Sequence, residues 1–338
     1  MSCLALSGLL MSCNPRNGAI RIGLLSNPLS GRNKRHFPSF RSVFQAHSDF
    51  EHAEVVTPDD ISKSLAVFAS RQVNLVLVNG GDGTIQATLN ALVNDRPFSE
   101  LPLIAVLPAG TANLIAGDVG LGPYSPETVT KLFASLPTLS SVHQTTRHLL
   151  RLQFPDGRET LHGMFFGIGA IYSGTQIGRE TKQSVGRLGE WGAGLIFAKF
   201  LMGLASGSQT GLQPVPVGLS IDGADATDQE CLMLFVTTLE RLFLGMKPFW
   251  NPDPGLLHYT GVSVPYRYLW RILPSVLRGK GHPLATKANG YDSQNPREIR
   301  LQLTSGFVLD GEVYDPPAQG QPIILGSGGE VSFVRLQP

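Results

Sequence analysis

From Ile20 to about Leu136, short apolar runs rich in β-branched residues alternate with longer stretches of mixed polarity. The runs are AIRIGLLS (19–26), HAEVV (52–56), VNLVLV (73–78) and LPLIAVL (101–107), each followed by turn residues and then a helix-compatible segment. That order predicts a parallel sheet with crossover helices. After about Leu139 the runs shorten and follow one another at turn-length intervals: HLLRLQF, HGMFFGIGAIY, VPVGLSI, CLMLFVTT, LLHYTGVSV, EIRLQLT, FVLDGEV and PIILGSG. This is the texture of a mostly antiparallel β-rich region. Helical insertions are predicted at about 184–206 and 266–279. The expected organisation is an N-terminal extension over 1–19, an α/β domain over 20–140 and a β-rich domain over 141–338. A chain of 338 residues exceeds the usual size of one core, which agrees with two domains.

Composition narrows the function classes. A net charge of +1 offers no electrostatic case for nucleic acid. Charged residues make up only 16% and there are 38 glycines, which points to a compact, turn-rich protein rather than a disordered one. Cys3, Cys13 and Cys231 are unpatterned, so neither a disulfide framework nor a zinc site is expected, and a reducing cytoplasm fits best. The opening MSCLALSGLLMSC lacks a basic n-region, and Met11 reads as an alternative initiator. The apolar stretch 188–205 is interrupted by Glu190 and Lys199, too short and too charged to span a bilayer comfortably.

Candidate chemistry gathers at the strand ends. VNLVLVNGGDGT carries a buried-type strand into Gly80, Gly81, Asp82, Gly83 and Thr84 and then into a helix. Glycines let main-chain N–H groups approach an anion, and the helix start adds a favourable dipole. Asp82 would repel phosphate unless a divalent cation lies between them or its carboxylate holds the loop through backbone N–H groups. SNPLSGRNKR follows the first strand and PAGTAN the fourth, offering Asn27, Ser30, Thr111 and Asn113 as hydrogen-bonding side chains. Taken singly, each reads as an ordinary turn or helix cap. Ligands of such sheets collect at the carboxyl ends of the strands, so the three loops are expected to converge on one crevice.

The strings SNPLSG (26–31), NGGDGT (79–84), LPAGTANLIA (107–116) and LDGE (309–312) resemble, in order and spacing, the diacylglycerol kinase catalytic family, which includes bacterial lipid kinases, sphingosine kinases and ceramide kinases. The resemblance covers about residues 20–335. It implies a two-domain fold of the NAD kinase/diacylglycerol kinase type, with ATP and Mg²⁺ held by the N-terminal domain and a lipid hydroxyl presented from the C-terminal one. By the same resemblance Asn27, Ser30, Thr57, Thr111 and Asn113 would lie in the nucleotide cleft and Gly80 to Thr84 would cradle the phosphates. Asp82 would be a direct or water-mediated partner of Mg²⁺. Asp310 and Glu312 match the catalytic acidic pair, either of which could serve as general base. The chain departs from the family pattern at Pro58, Asp59 and Asp60 after Thr57, and at Leu114 where an Asp commonly stands. It departs again at Pro254, where the family carries the Asp of a structural magnesium site; by the resemblance Asp253, one position earlier, would be the substitute ligand.

A lipid substrate implies a cytoplasmic protein in peripheral contact with a membrane, acting in phospholipid metabolism, and a homodimer is compatible with it. Two basic segments are candidates for that contact: YLWRILPSVLRGKG (268–281), and Arg32, Lys34, Arg35 and Arg41. The first otherwise reads as a core-facing helix with snorkelling cations, the second as a solvated helix face. NAD kinases share the GGDGT loop, but their downstream Gly-Ser-Thr-Ala-Tyr type segment is missing from this sequence. No GxGxxG follows the first strand, which disfavours a dehydrogenase. A non-catalytic nucleotide or lipid sensor of the same fold is the reading from another class. The retained Asp82, Asp310 and Glu312 argue against it.

Overall fold

A computed structural model describes residues 20–45, 50–135, 142–180, 213–318 and 320–336. The extension 1–19 and the helical insertion expected at 184–206 lie outside the described residues. Strands β1 (Ile22–Ser26), β2 (Phe50–Glu54), β3 (Leu75–Gly80) and β4 (Leu103–Pro108) alternate with helices α1 (Asn33–Gln45), α2 (Pro58–Ser70), α3 (Asp82–Asn94) and α4 (Leu114–Val119), followed by α5 (Pro126–Ser135). The four strands pair in parallel in the order β2-β1-β3-β4.

Every residue of β1, β3 and β4 is buried, as expected for a sheet covered on both faces. The two-residue alternation of strand side chains splits β3 between two cores: Val76 and Val78 pack with Ile61, Leu65 and Phe68 of α2, whereas Leu75 and Leu77 pack with Phe37, Phe40 and Phe44 of α1. Each helix supplies its apolar residues at three- or four-residue spacing, so one stripe faces the sheet.

The remainder is mostly antiparallel: β5 (Val142–Gln153), β6 (Leu161–Gly163), β7 (Phe165–Gly169), β8 (Val215–Ile221), β9 (Thr227–Thr237), β10 (His258–Ser263), β11 (Tyr291–Gln294), β12 (Glu298–Leu303), β13 (Phe307–Leu309), β14 (Glu312–Tyr314) and β15 (Pro322–Leu336). Helix α6 (Ala170–Glu180) follows β7 and helix α7 (Leu269–Val276) follows β10. Two expectations are corrected in detail. The run HGMFFGIGAIY is not wholly strand, because Gly169 adopts φ +65° and the chain enters α6 at Ala170. PIILGSG does not end a strand but begins the 15-residue β15. The start of β15 pairs with β12, most of it from Ile324 to Leu336 pairs with β5, and Phe333 and Val334 run parallel to Ile104 and Ala105 of β4. The last strand therefore stitches the antiparallel region onto the edge of the parallel one, forming one continuous sheet.

Candidate active site

The three loops converge at the carboxyl ends of β1, β3 and β4. Asn27 Nδ2 donates to Thr84 Oγ1 at 2.9 Å, and the Gly81 N–H donates to Ser30 Oγ at 3.2 Å, so the first loop is bonded to the second twice. The second and third loops touch backbone to backbone. A Cβ on Gly110 would stand 2.7 Å from the Gly81 Cα and 2.9 Å from Asn113 Oδ1, so only glycine fits there. Asn113, in the left-handed region at φ +51°, closes the third loop on itself: its Oδ1 accepts from the Gly110 N–H at 2.7 Å and its Nδ2 donates to the Gly110 carbonyl at 3.0 Å.

The structure answers the question posed by Asp82. Its carboxylate accepts the Ile115 N–H at 3.0 Å and faces the neighbouring N–H groups of Asn113 and Leu114, so it caps α4. Burial raises its pKa from 3.8 to about 6 against the opposing pull of those N–H groups. No side chain caps α3, whose first turn opens into the cleft.

Asp310 and Glu312 occupy different environments. Asp310 is buried, sits at φ +48° in the β13–β14 turn, and accepts the Phe165 N–H at 2.8 Å and the Met164 N–H at 3.0 and 3.1 Å. Burial, followed by the nearby Asp82 charge, holds its pKa well above the carboxylate range. Glu312 is half-buried and lines the cleft over the first turn of α3, where a Cβ on Gly83 would meet its Oε1 at 2.5 Å. The absent side chain at Gly83 thus leaves room for Glu312 before it leaves room for any ligand.

Asn27, Ser30, Thr57, Gly81, Asp82, Gly83, Thr84, Thr111, Asp310 and Glu312 all line one cleft of about 1680 Å³. Gly80 and Asn113 stand behind it as framework, and Asp253, in an exposed turn, does not line it. Among the described residues no three His, Cys, Asp or Glu side chains come together as a metal cage. Thr57 has a local duty: its Oγ1 accepts the Asp60 N–H at 3.2 Å while Asp60 accepts the Thr57 N–H at 2.8 Å, a capping box with Pro58 in the first turn of α2. The departure from the family pattern at 58–60 is therefore a self-contained helix start.

Other features of the cleft gave no sequence motif. Beside the first loop, Tyr124 donates to Asn33 Oδ1 at 2.5 Å, stacks at 4.5 Å on Phe40 and lies 5.8 Å beneath the Arg32 guanidinium. At the opposite end the cleft becomes apolar, walled by Phe165, Ile171, Leu232, Met233, Leu242, Phe243, Met246, Trp250, Val262 and the inner face of α7. Behind α4, the fully buried Asp118 accepts from Arg147 Nε at 2.8 Å, lies 3.4 Å from Arg241 Nε and accepts the Glu240 N–H at 3.1 Å.

A parallel α/β half carrying a glycine-lined loop cluster, joined to an antiparallel half that supplies an acidic turn, defines the NAD kinase/diacylglycerol kinase class of fold. Residues 21–142 match the family model of the diacylglycerol kinase catalytic domain. A diacylglycerol kinase of Bacillus subtilis (strain 168) is 31% identical over 104 residues, 30% of this chain and 33% of that protein, so the match spans about a third of the relative's length. A diacylglycerol kinase of Mycobacterium tuberculosis (strain ATCC 25618 / H37Rv) is 24% identical over 265 residues, 77% of this chain and 79% of that one. A solved diacylglycerol kinase structure from Bacillus anthracis str. Sterne superposes with a TM-score of 0.59 at 19% identity, covering 96% of this chain and 99% of that one. Yeast NADH kinase complexed with NADH gives 0.51 at 13% identity over 95% and 85% of the two chains, a likeness of fold alone.

Proposed function

We propose that this protein is an ATP-dependent lipid kinase that transfers the γ-phosphoryl group to the hydroxyl of diacylglycerol or a related long-chain lipid. The observation that carries this reading is the continuity of the cleft. The phosphate-type loops and the apolar residues line the same cleft, and Glu312 enters it over the first turn of α3. Residues 20–140 would serve as the nucleotide-binding part and 141–338 as the lipid-binding part.

In this reading the first turn of α3 and the loops at Ser30 and Thr111 receive the phosphates, and Tyr124 with Arg32 borders the nucleotide end. Asp82 and Glu312 are the cleft-lining carboxylates that would hold a Mg²⁺, an ion commonly bound through one or two protein carboxylates together with substrate phosphates. When bound, it neutralises charge building on the transferred group. Glu312 is assigned as the general base, because both oxygens of the other cleft-lining acid of the LDGE turn, Asp310, are engaged with N–H groups at the start of β7. Asp310 is a positioning residue.

The test is incubation of the purified protein with labelled ATP, Mg²⁺ and a total lipid extract, followed by mass identification of the labelled product. Label is expected in a long-chain lipid alcohol. Label only in a nicotinamide nucleotide, or none, refutes the reading.

A further inference from the structure

Helix α7 has two unlike sides. Ile272 and Val276 are buried, and Leu269, Leu273 and Leu277 line the apolar end of the cleft. Trp270 lies on the stripe of Leu273 and Leu277, at three- and seven-residue spacing, yet is 52% exposed. Tyr268, just ahead of the helix, is 48% exposed. Across the cleft mouth, Phe243 and Met246 face inward while Leu244 between them is 71% exposed at φ +56°. The Lys247 N–H donates to the Leu277 carbonyl at 2.9 Å, which ties this turn to the end of α7. Large exposed apolar side chains therefore cluster on the segments whose other residues wall the cleft, an arrangement that marks an interaction surface.

The charge around them has one sign. Residues 242–291 contain Lys247, Arg267, Arg271, Arg278, Lys280 and Lys287 but a single acid, Asp253. Lys287 is paired with Asp292 at 3.3 Å; among the described residues no carboxylate forms an ion pair with the other five. The second basic segment differs: Arg41 pairs with Glu54, and Arg32, Lys34 and Arg35 line the nucleotide end of the cleft.

We propose that the outer rim of α7, with the turn at 243–247, docks the protein onto an anionic bilayer so that the apolar end of the cleft opens toward the lipid. This rests on the lipid-kinase reading for its purpose, though not for its measurement. Trp and Tyr favour the headgroup level, and cations beside them add attraction to anionic lipid.

The experiment is flotation of the full chain, without ATP, on phosphatidylcholine vesicles with and without phosphatidylglycerol. Wild type is expected to float only with the anionic vesicles. Each cation at such a surface contributes roughly fivefold to partitioning, so R267Q/R271Q/K280Q weakens binding on the order of a hundredfold. W270S is expected to lose binding as well, together with the blue shift of tryptophan emission on vesicle addition. Both variants keep wild-type turnover of a short-chain acceptor dispersed without vesicles. Binding that survives in the triple variant, that is lost instead in K34Q/R35Q, or that is absent in wild type overturns the docking surface. A protein that floats but phosphorylates no lipid keeps the surface and loses the kinase reading; one that phosphorylates the dispersed acceptor without floating does the reverse.

Discussion

The two acids of LDGE should separate into a chemical and a structural role when mutated singly. Asp310→Ala removes the acceptor of two buried backbone donors, the Met164 and Phe165 N–H groups. Each orphaned donor costs about 1–3 kcal/mol, so the variant should lose about 2–6 kcal/mol of stability. Asp310→Asn keeps one oxygen that can accept from both donors and should cost less than the alanine variant. Glu312→Gln removes a half-buried carboxylate facing the cleft and should leave Tm near wild type. If Glu312 takes the acceptor proton, kcat falls about 10²–10⁴-fold with little change in nucleotide KM. Thermal denaturation and steady-state kinetics on the three variants decide the matter. Wild-type kcat in Glu312→Gln, or an unaltered Tm in Asp310→Ala, refutes the assignment.

The raised pKa of Asp82 has a definite sign. The folded state holds that proton more tightly than the unfolded chain, so the associated stability is present below about pH 4 and lost as pH rises through about 6. The full difference is at most about 3 kcal/mol, given the shift from 3.8 to about 6. Asp82→Asn should therefore flatten the stability profile in that window while abolishing Mg²⁺-dependent turnover, measured by Tm against pH and by kinase assay. Asp118→Ala leaves the buried Arg147 with only the exposed Glu240 carboxylate, 3.1 Å from its Nη1, and should cost about 1–3 kcal/mol, whereas Arg241→Gln, at a 41% exposed side chain, should cost under about 1 kcal/mol; denaturant unfolding reads both. Thr57→Ala should cost about 1 kcal/mol through the lost cap and leave the KM for ATP within about twofold. A much larger rise in KM would instead support the direct nucleotide contact that the resemblance implies for Thr57.

The parallel half of the fold was legible because each strand is a short apolar run ending in turn chemistry, and the loops were legible because glycine and small polar residues sit at three such ends. Element edges were less so: the second strand runs Phe50–Glu54 rather than 52–56, since HAEVV continues into the capping box at Thr57. Apolar periodicity could not separate strand from helix within HGMFFGIGAIY, where the change depends on one left-handed glycine. The choice between Asp310 and Glu312 was unreadable because it turns on N–H groups some 145 residues away in sequence. The apolar end of the cleft had no motif for a related reason. Its walls come from β7, α6, β9, β10, α7 and the segment 242–250, which lie far apart in sequence and whose apolar residues are indistinguishable in character from core. Asp118 gave no signal either, since an isolated acid after a helical stretch ordinarily lies at the surface.

These hidden contacts account for how the two ends of the cleft are held in one frame. Helix α4 begins at the third loop, where Asp82 caps it, and ends at Asp118, which grips Arg147 on β5 and the chain at Glu240 and Arg241. That chain runs directly into Leu242 and Phe243, which wall the apolar end. Meanwhile Asp310 fixes the start of β7, and β7 leads into α6 on the same wall. Asp118 and Asp310 thus each fasten one segment bordering the cleft to another. In the proposed transfer, a base at Glu312 would be useful only with the acceptor hydroxyl and the γ-phosphate presented in line. Burying Asp118 and Asp310 for positioning carries a desolvation cost that a surface ion pair would avoid. It secures the separation of the two ends, the one distance the reaction cannot tolerate losing.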